Sequence, residues 1–157
     1  MADEKNNAFA KTVFTTLCDV MERRGWKYEK DEKDLTVHFI VSGDDIPMQF
    51  ILVIDAERQL IRLMSPLPFK MSEDKRIDGA IATCAASFGL ADGSFDYDLT
   101  EGRIIFRMTA SFRESLIGEE LFHYMIECSC VTVDEYNDKF LAIDKGLLSV
   151  SDFIENS

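Results

Sequence analysis

Long hydrophobic runs are missing from this sequence. The longest mixed apolar stretch, Ile46 to Ile54, is about half of the ~18 residues that a membrane-spanning helix needs, and it contains a proline and a glutamine. No hydrophobic signal segment opens the chain either. We therefore expect a cytoplasmic protein that has no membrane partner.

Clusters of basic residues are also scarce. None is longer than Arg23-Arg24, and 17 Lys and Arg against 29 Asp and Glu leave a net charge of −12 at pH 7. An acidic surplus of this size repels phosphate backbones and anionic lipid head groups. We expect neither a nucleic acid nor a membrane surface among the partners.

Side chains that could carry catalysis or hold a metal are few. Cys18 and Cys84 lie in or beside helical stripes, which favours reduced, buried thiols. Cys128 and Cys130 are close in sequence, but two residues apart on a helix their side chains point in nearly opposite directions. The glycines are scattered singly, without a phosphate-binding motif, and neither of the two histidines has a partner that the sequence reveals. The sequence predicts no enzyme, no metal site and no cofactor.

The densest acidic segment, residues 92–102, does not fit a calcium-binding loop. With Asp96 as the first ligand, the glycine required at the sixth position would be Glu101 and the acidic ligand at the twelfth would be Arg107. We interpret Asp96 and Asp98 as solvated hairpin residues, with Arg103 and Arg107 on the next strand as cross-strand counter-charges.

Hydrophobic periodicity predicts one domain, residues 1–157, of the α+β class. The length suits a single domain, and 46% apolar residues allow a substantial core. Period-two alternation predicts an antiparallel meander and a later hairpin, while spacings of three and four predict helices before, between and after them, in the order α-β-β-β-β-α-β-β-α. The predicted helices are Asn6 to Arg24, Ser72 to Gly89, Gly118 to Lys145 and a short tail ending at Ile154; the predicted strands are Trp26 to Lys30, Leu35 to Ser42, Ile46 to Asp55, Leu60 to Ser65, Phe95 to Leu99 and Ile104 to Ala110.

Three local features refine this prediction. Pro66 and Pro68 should end the meander, because proline cannot donate a backbone hydrogen bond to a sheet. The β-branched stretch from Cys130 to Val133 is a possible bend in the long helix. The second helix should bury a stripe at helical spacing and has small residues that would let another backbone approach; the stripe consists of Ile77, Ile81, Cys84, Ala85 and Phe88.

The outer face of the meander is not fully polar. Alternate positions that should face away from the helices are apolar, and they are Ile40, Ile51, Val53, Ile61 and Leu63. Either a helix of the same chain or a partner must cover such a face. We predict that these five residues bind a partner.

Six short segments resemble the YbjN family of bacterial proteins. They are Trp26-Lys27-Tyr28, Pro66 to Lys70, Glu73 to Arg76, Phe88-Gly89-Leu90, Gly93 to Asp98 and Gly102-Arg103-Ile104. The resemblance implies the fold of type III secretion chaperones, which are small, acidic, dimeric proteins that hold an extended partner segment on apolar surface. Members of the family are described as putative sensory transduction regulators.

These observations lead to two functional hypotheses. The first is a non-enzymatic, chaperone-like or regulatory module that binds another protein or a second copy of itself. The alternative is a small-ligand sensor or an enzyme with a pocket between the sheet and the last long helix. Its polar residues would be Tyr97, Arg107, His123 and Tyr124.

Overall fold

A computed structural model describes residues 3–156 and contains four α-helices and six strands in that range. The helices are α1 (Glu4–Arg24), α2 (Arg76–Phe88), α3 (Glu119–Asp144) and α4 (Val150–Glu155), with a 3-10 turn at Glu73–Lys75 before α2. The strands are β1 (Glu29–Asp31), β2 (Thr36–Val41), β3 (Met48–Asp55), β4 (Leu60–Lys70), β5 (Ser94–Asp98) and β6 (Arg103–Ser111). This order confirms the predicted α+β class and the predicted sequence of elements.

All six strands form one antiparallel sheet in the order β1-β2-β3-β4-β6-β5. The meander and the hairpin join along β4 and β6, where Leu63 lies opposite Met108 and Ile61 lies opposite Ala110. This long-range pairing places β1 and β5 at the two edges. At the β5 edge, the Ser87 hydroxyl of α2 accepts a hydrogen bond from the Phe95 backbone N–H at 2.8 Å.

The helices pack on one face of this sheet. Helices α1, α2 and α3 contact the strands, and α4 packs on α2 and on aromatic rings of α3. The inner face is fully buried along β3 and β4, as the 0% exposure of Phe50, Leu52 and Leu63 shows. Within residues 3–156, no helix lies over the opposite face, whose side chains are half-buried or exposed.

The predicted outer position of Ile61 and Leu63 is wrong. Directly opposed residues of an antiparallel pair share a face. Leu63 lies opposite Leu52, and Ile61 lies opposite Ile54, both of which point into the core. Ile61 and Leu63 are themselves 0% exposed and supply no surface for a partner.

The prolines do not end the meander as predicted, because β4 continues to Lys70. Pro66 still lies opposite Ile105 of β6, and the register shifts between Pro66 and Lys70. On the other side, the pairing with β3 extends only as far as Met64. Proline is tolerated in this part of β4 because the strand has no β3 neighbour there and its pairing with β6 is irregular, so the missing backbone N–H is not needed.

The face of α2 that was predicted to be buried is exposed. Ile77, Ile81 and Phe88 are 68%, 42% and 94% exposed. The small face of the helix is the buried one, consisting of Gly79, Ala82, Thr83 and Ala86. The helix does not break at Cys130 to Val133, because α3 continues through these residues.

Candidate protein-binding surfaces

The first surface is the uncovered side of the sheet, called here the open sheet face. Its apolar residues are Ile40, which is 65% exposed, and the half-buried Ile51, Val53, Met64 and Ile105. Three of the five predicted partner-binding residues, Ile40, Ile51 and Val53, therefore lie on it. Their strands present alternate side chains to this face, so its composition follows from the register.

Charged residues of the open sheet face are paired with one another. Arg107 lies 2.8 Å from Asp96 and Arg103 lies 3.3 Å from Asp98. These contacts confirm the predicted cross-strand counter-charges. The backbone N–H of Thr100 donates to Asp98 and, together with Arg103, holds the pKa of that carboxyl below its usual value.

A similar arrangement surrounds Asp55 at the end of β3. Its carboxylate accepts the backbone N–H of Arg58 at 2.9 Å and lies 3.9 Å from the Arg62 guanidinium. Burial alone would raise the pKa of Asp55, but these donors outweigh burial and lower it. The open sheet face therefore combines apolar side chains with neutralised charge pairs, although the whole chain is strongly acidic.

The second surface is the exposed stripe of α2, called here the α2 surface. It consists of Ile77, Ala80, Ile81, Cys84, Ala85 and Phe88. These residues line a groove of about 670 Å³ together with Gly89, Tyr136 of α3 and Ile154 of α4. Ile154 is itself 46% exposed. The groove is lined mostly by apolar atoms and is open to solvent.

Close packing against β5 fixes the orientation of α2. A Cβ atom on Gly79 would lie 2.6 Å from the Tyr97 Oη and 2.7 Å from the Met71 Cγ. The Tyr97 hydroxyl also donates to the backbone carbonyl of Arg76 at 2.7 Å. Only a helix face made of small residues can approach the sheet this closely, so the large apolar side chains point outwards.

The polar residues of the alternative hypothesis do not converge on one pocket. Tyr97 is on the inner side of the sheet, whereas Arg107 is on the open sheet face. His123 contacts Arg24 at 2.9 Å through Nδ1, and the Tyr124 hydroxyl donates to Asp92. Each of the four side chains is engaged in a separate contact.

The cysteines differ from the predicted pair of buried thiols. Cys84 is exposed and Cys18 is half-buried. On α3, burial raises the pKa of Cys130 to about 11, which keeps this thiol protonated at neutral pH. Within residues 3–156, no three His, Cys, Asp or Glu side chains are grouped as a metal site would need.

Sequence reasoning missed the exposed apolar stripe that forms the α2 surface. The signal was present, because α2 has one stripe of large apolar residues and one of small residues. Periodicity shows both stripes but does not show which one faces the sheet. The glycine at position 79 within a helix was a further signal, since glycine there costs stability unless a neighbour comes close.

Comparisons with known proteins give a similarity to a solved structure. No protein-family model matches the chain, and no curated protein matches it. Membership of the YbjN family therefore stays a prediction. Among solved structures, a chain of the HopA1–SchA chaperone–effector complex is similar to this chain, with a TM-score of 0.43 and 17% sequence identity over 94% of this chain and 98% of that chain. None of the helices in residues 3–156 is long and apolar enough to cross a membrane.

Proposed function

We propose that the chain is a non-enzymatic protein-binding module of the bacterial cytosol, with a chaperone-like or regulatory role. Its open sheet face binds another protein. One observation carries this proposal: the helices lie on one side of the sheet and leave apolar side chains on the other, with Ile40 at 65% exposure. An antiparallel sheet with a solvated face ordinarily carries polar residues there.

The size and chemistry of this face suit a protein segment better than a small molecule. Its apolar residues are spread over four adjacent strands, from Ile40 on β2 to Ile105 on β6, and the hollows that these two residues line are open grooves of about 350 and 270 Å³. Burial of apolar area contributes about 25 cal/mol per Å² before association costs are subtracted. The charge pairs Arg62–Asp55 and Arg107–Asp96 on the same face add polar complementarity with little desolvation of unpaired ions.

The test is capture of a partner by matched variants. Tagged wild type, Ile40→Asp and Leu116→Asp are expressed in the source cells, cross-linked and purified. Leu116 is the control because it is 99% exposed and lies outside both surfaces. We expect a partner to be recovered with the wild type and with the control, but reduced at least about tenfold with Ile40→Asp.

Thermal unfolding shows whether the variants used in this test are folded. Because Ile40 is largely exposed, Ile40→Asp should retain the circular dichroism spectrum and a similar Tm. Equal recovery of the same proteins by all three folded chains would refute the proposal. A partner that depends on Ile40 should also depend on Ile51 or Val53, its neighbours on the face.

A further inference from the structure

The carboxylates of the sheet lie mainly at its edges. Its four inner strands, β2, β3, β4 and β6, carry four Lys or Arg and a single acidic residue, Asp55, which ends β3. The whole chain, in contrast, has 29 Asp and Glu against 17 Lys and Arg. The other carboxylates of the sheet belong to the edge strands β1 and β5, and they are Glu29, Asp31, Asp96 and Asp98. The middle of the open sheet face is therefore cationic on a strongly acidic chain.

The ion pairs of the open sheet face place their positive member towards the middle. Arg107 of the inner strand β6 lies 2.8 Å from Asp96 of the edge strand β5, and Arg62 of β4 lies 3.9 Å from Asp55 at the end of β3. Exposed ion pairs contribute little to stability, and a guanidinium has five N–H donors. Each arginine can therefore bind a further carboxylate without loss of a strong contact.

Arg62 and Arg107 are the best placed to bind a carboxylate of a partner. The Arg62 side chain is 34% exposed, and its 3.9 Å contact with Asp55 is beyond hydrogen-bond distance. Met64 lies opposite Arg107 on the neighbouring strand, and Arg62 is two residues from Met64 on the same side. The two arginines are therefore diagonal neighbours, a relation that separates residues by roughly 7–8 Å. Two guanidiniums at this separation can bind one carboxylate or two neighbouring ones.

Apolar side chains surround this pair of arginines. Val53 lies opposite Arg62 on β3, and Ile51 lies opposite Met64. A nucleic acid would neutralise the arginines but would leave these apolar residues uncovered. A protein segment in which acidic and apolar residues alternate can do both, because its carboxylates and its apolar side chains meet groups of matching chemistry.

We propose that the partner of the open sheet face is an acidic protein segment. Its carboxylates bind Arg62 and Arg107, and its apolar side chains cover Ile51, Val53 and Met64. This inference rests on the proposed function, since it gives the chemistry of the segment that the same face binds. The two depend on different properties of the face, because the proposed function requires its apolar area and this inference requires the charge of its arginines.

The first test reverses one charge on the open sheet face. Arg62→Glu and Arg23→Glu change the net charge of the chain equally, but Arg23 lies on α1 and its side chain is 70% exposed. In the capture experiment, Arg62→Glu should recover at least about tenfold less partner than the wild type, and Arg23→Glu should recover as much. Arg62→Lys should restore part of the recovery, because it restores the charge. Arg107→Glu should act as Arg62→Glu does, and it replaces that variant if the circular dichroism spectrum shows Arg62→Glu to be unfolded.

The outcomes separate this inference from the proposed function. Equal recovery by folded Arg62→Glu and the wild type, with the partner lost from Ile40→Asp, would overturn the inference and leave the proposed function standing. Equal recovery by all of these variants would overturn both. A partner whose recovery is abolished by nuclease would also overturn the inference, because the arginines would then bind a nucleic acid.

The second test uses two short fluorescein-labelled peptides as probes, one alternating Val with Glu and the other alternating Val with Gln. Fluorescence polarisation should show that the wild type binds the Glu peptide at least about tenfold more tightly than the Gln peptide, despite repulsion by the acidic chain. This preference should weaken as the ionic strength rises, disappear in Arg62→Glu and persist in Arg23→Glu. Equal binding of the two peptides by the wild type, or a preference that Arg62→Glu retains, would overturn the inference.

Discussion

Individual residues carry much of the local order at the turns and edges. Asp98 is the clearest case, because its carboxylate accepts from two backbone N–H groups of the β5–β6 turn, those of Thr100 and Glu101, and pairs with Arg103. These donors favour the ionised carboxyl and lower its pKa. The prediction that arginines of β6 counter these aspartates was possible from sequence, because strand alternation and a short turn bring them onto one face.

The lowered pKa of Asp98 predicts a pH-dependent contribution to stability. A carboxyl whose pKa is lower in the folded than in the unfolded chain stabilises the fold above the unfolded value, here the ordinary 3.8. That stabilisation disappears as the pH falls from 3.8 through the folded value. Urea unfolding should show Asp98→Asn to be less stable than the wild type at neutral pH, with the gap narrowing in acid. A gap that does not change with pH would contradict this assignment.

Among the elements, α2 shows how one helix can be apolar on two sides. Its small residues pack against β5 and its large residues face solvent. Gly79 lies so close to Tyr97 and Met71 that no larger residue fits there. For this reason the small residues of α2, and not the large ones, face the sheet. Helix α2 is therefore held in place by the close fit of its small residues against β5, and not by burial of its largest side chains.

The variant Gly79→Ala tests how closely α2 packs against Tyr97 and Met71. Alanine improves helix propensity by about 1 kcal/mol, but overpacking costs about 1–3 kcal/mol, so we expect a net loss of about 1 kcal/mol in the free energy of unfolding. Gly89→Ala is the matched control. A Cβ at Gly89 would meet its nearest neighbour at 3.7 Å, and the φ of −84° suits alanine. A stabilised Gly79→Ala protein would mean that α2 has room to shift away from the sheet.

For the whole molecule, the central property is a two-layer arrangement with helices on one side only. Neighbouring residues of β4 therefore have opposite environments. Leu63 is 0% exposed beneath the helices, while Met64 lies half-buried on the open sheet face. This asymmetry leaves one face of the sheet uncovered and corrects the predicted position of Leu63.

Leu63→Ala and Met64→Ala compare the two layers directly. We expect Leu63→Ala to lose about 2–5 kcal/mol of unfolding free energy, because it leaves a cavity in the core. Met64→Ala should lose under about 1 kcal/mol. Chemical denaturation of both variants with the wild type checks this. Similar losses at the two positions would indicate that the open sheet face is covered in solution.

Local patterns along the chain are enough to fix the kinds and order of the elements. Alternation of period two and stripes of period three to four are local properties, and they place helices at Asn6 to Arg24 and strands from Leu35 to Asp55 close to their observed bounds. The hairpin turns are likewise set by residues that are neighbours in the chain. For this reason the α+β class could be predicted from the chain alone.

Which face of each element is buried, in contrast, does not follow from its local pattern. A pattern shows that two faces of an element differ, but contacts distant in sequence select the one that packs. Pairing of β3 with β4 placed Leu63 opposite Leu52. The approach of Tyr97 to Gly79 turned Ile81 and Phe88 towards solvent. The open sheet face and the α2 surface both depend on these choices, because apolar area remains exposed only where no other part of the fold has covered it.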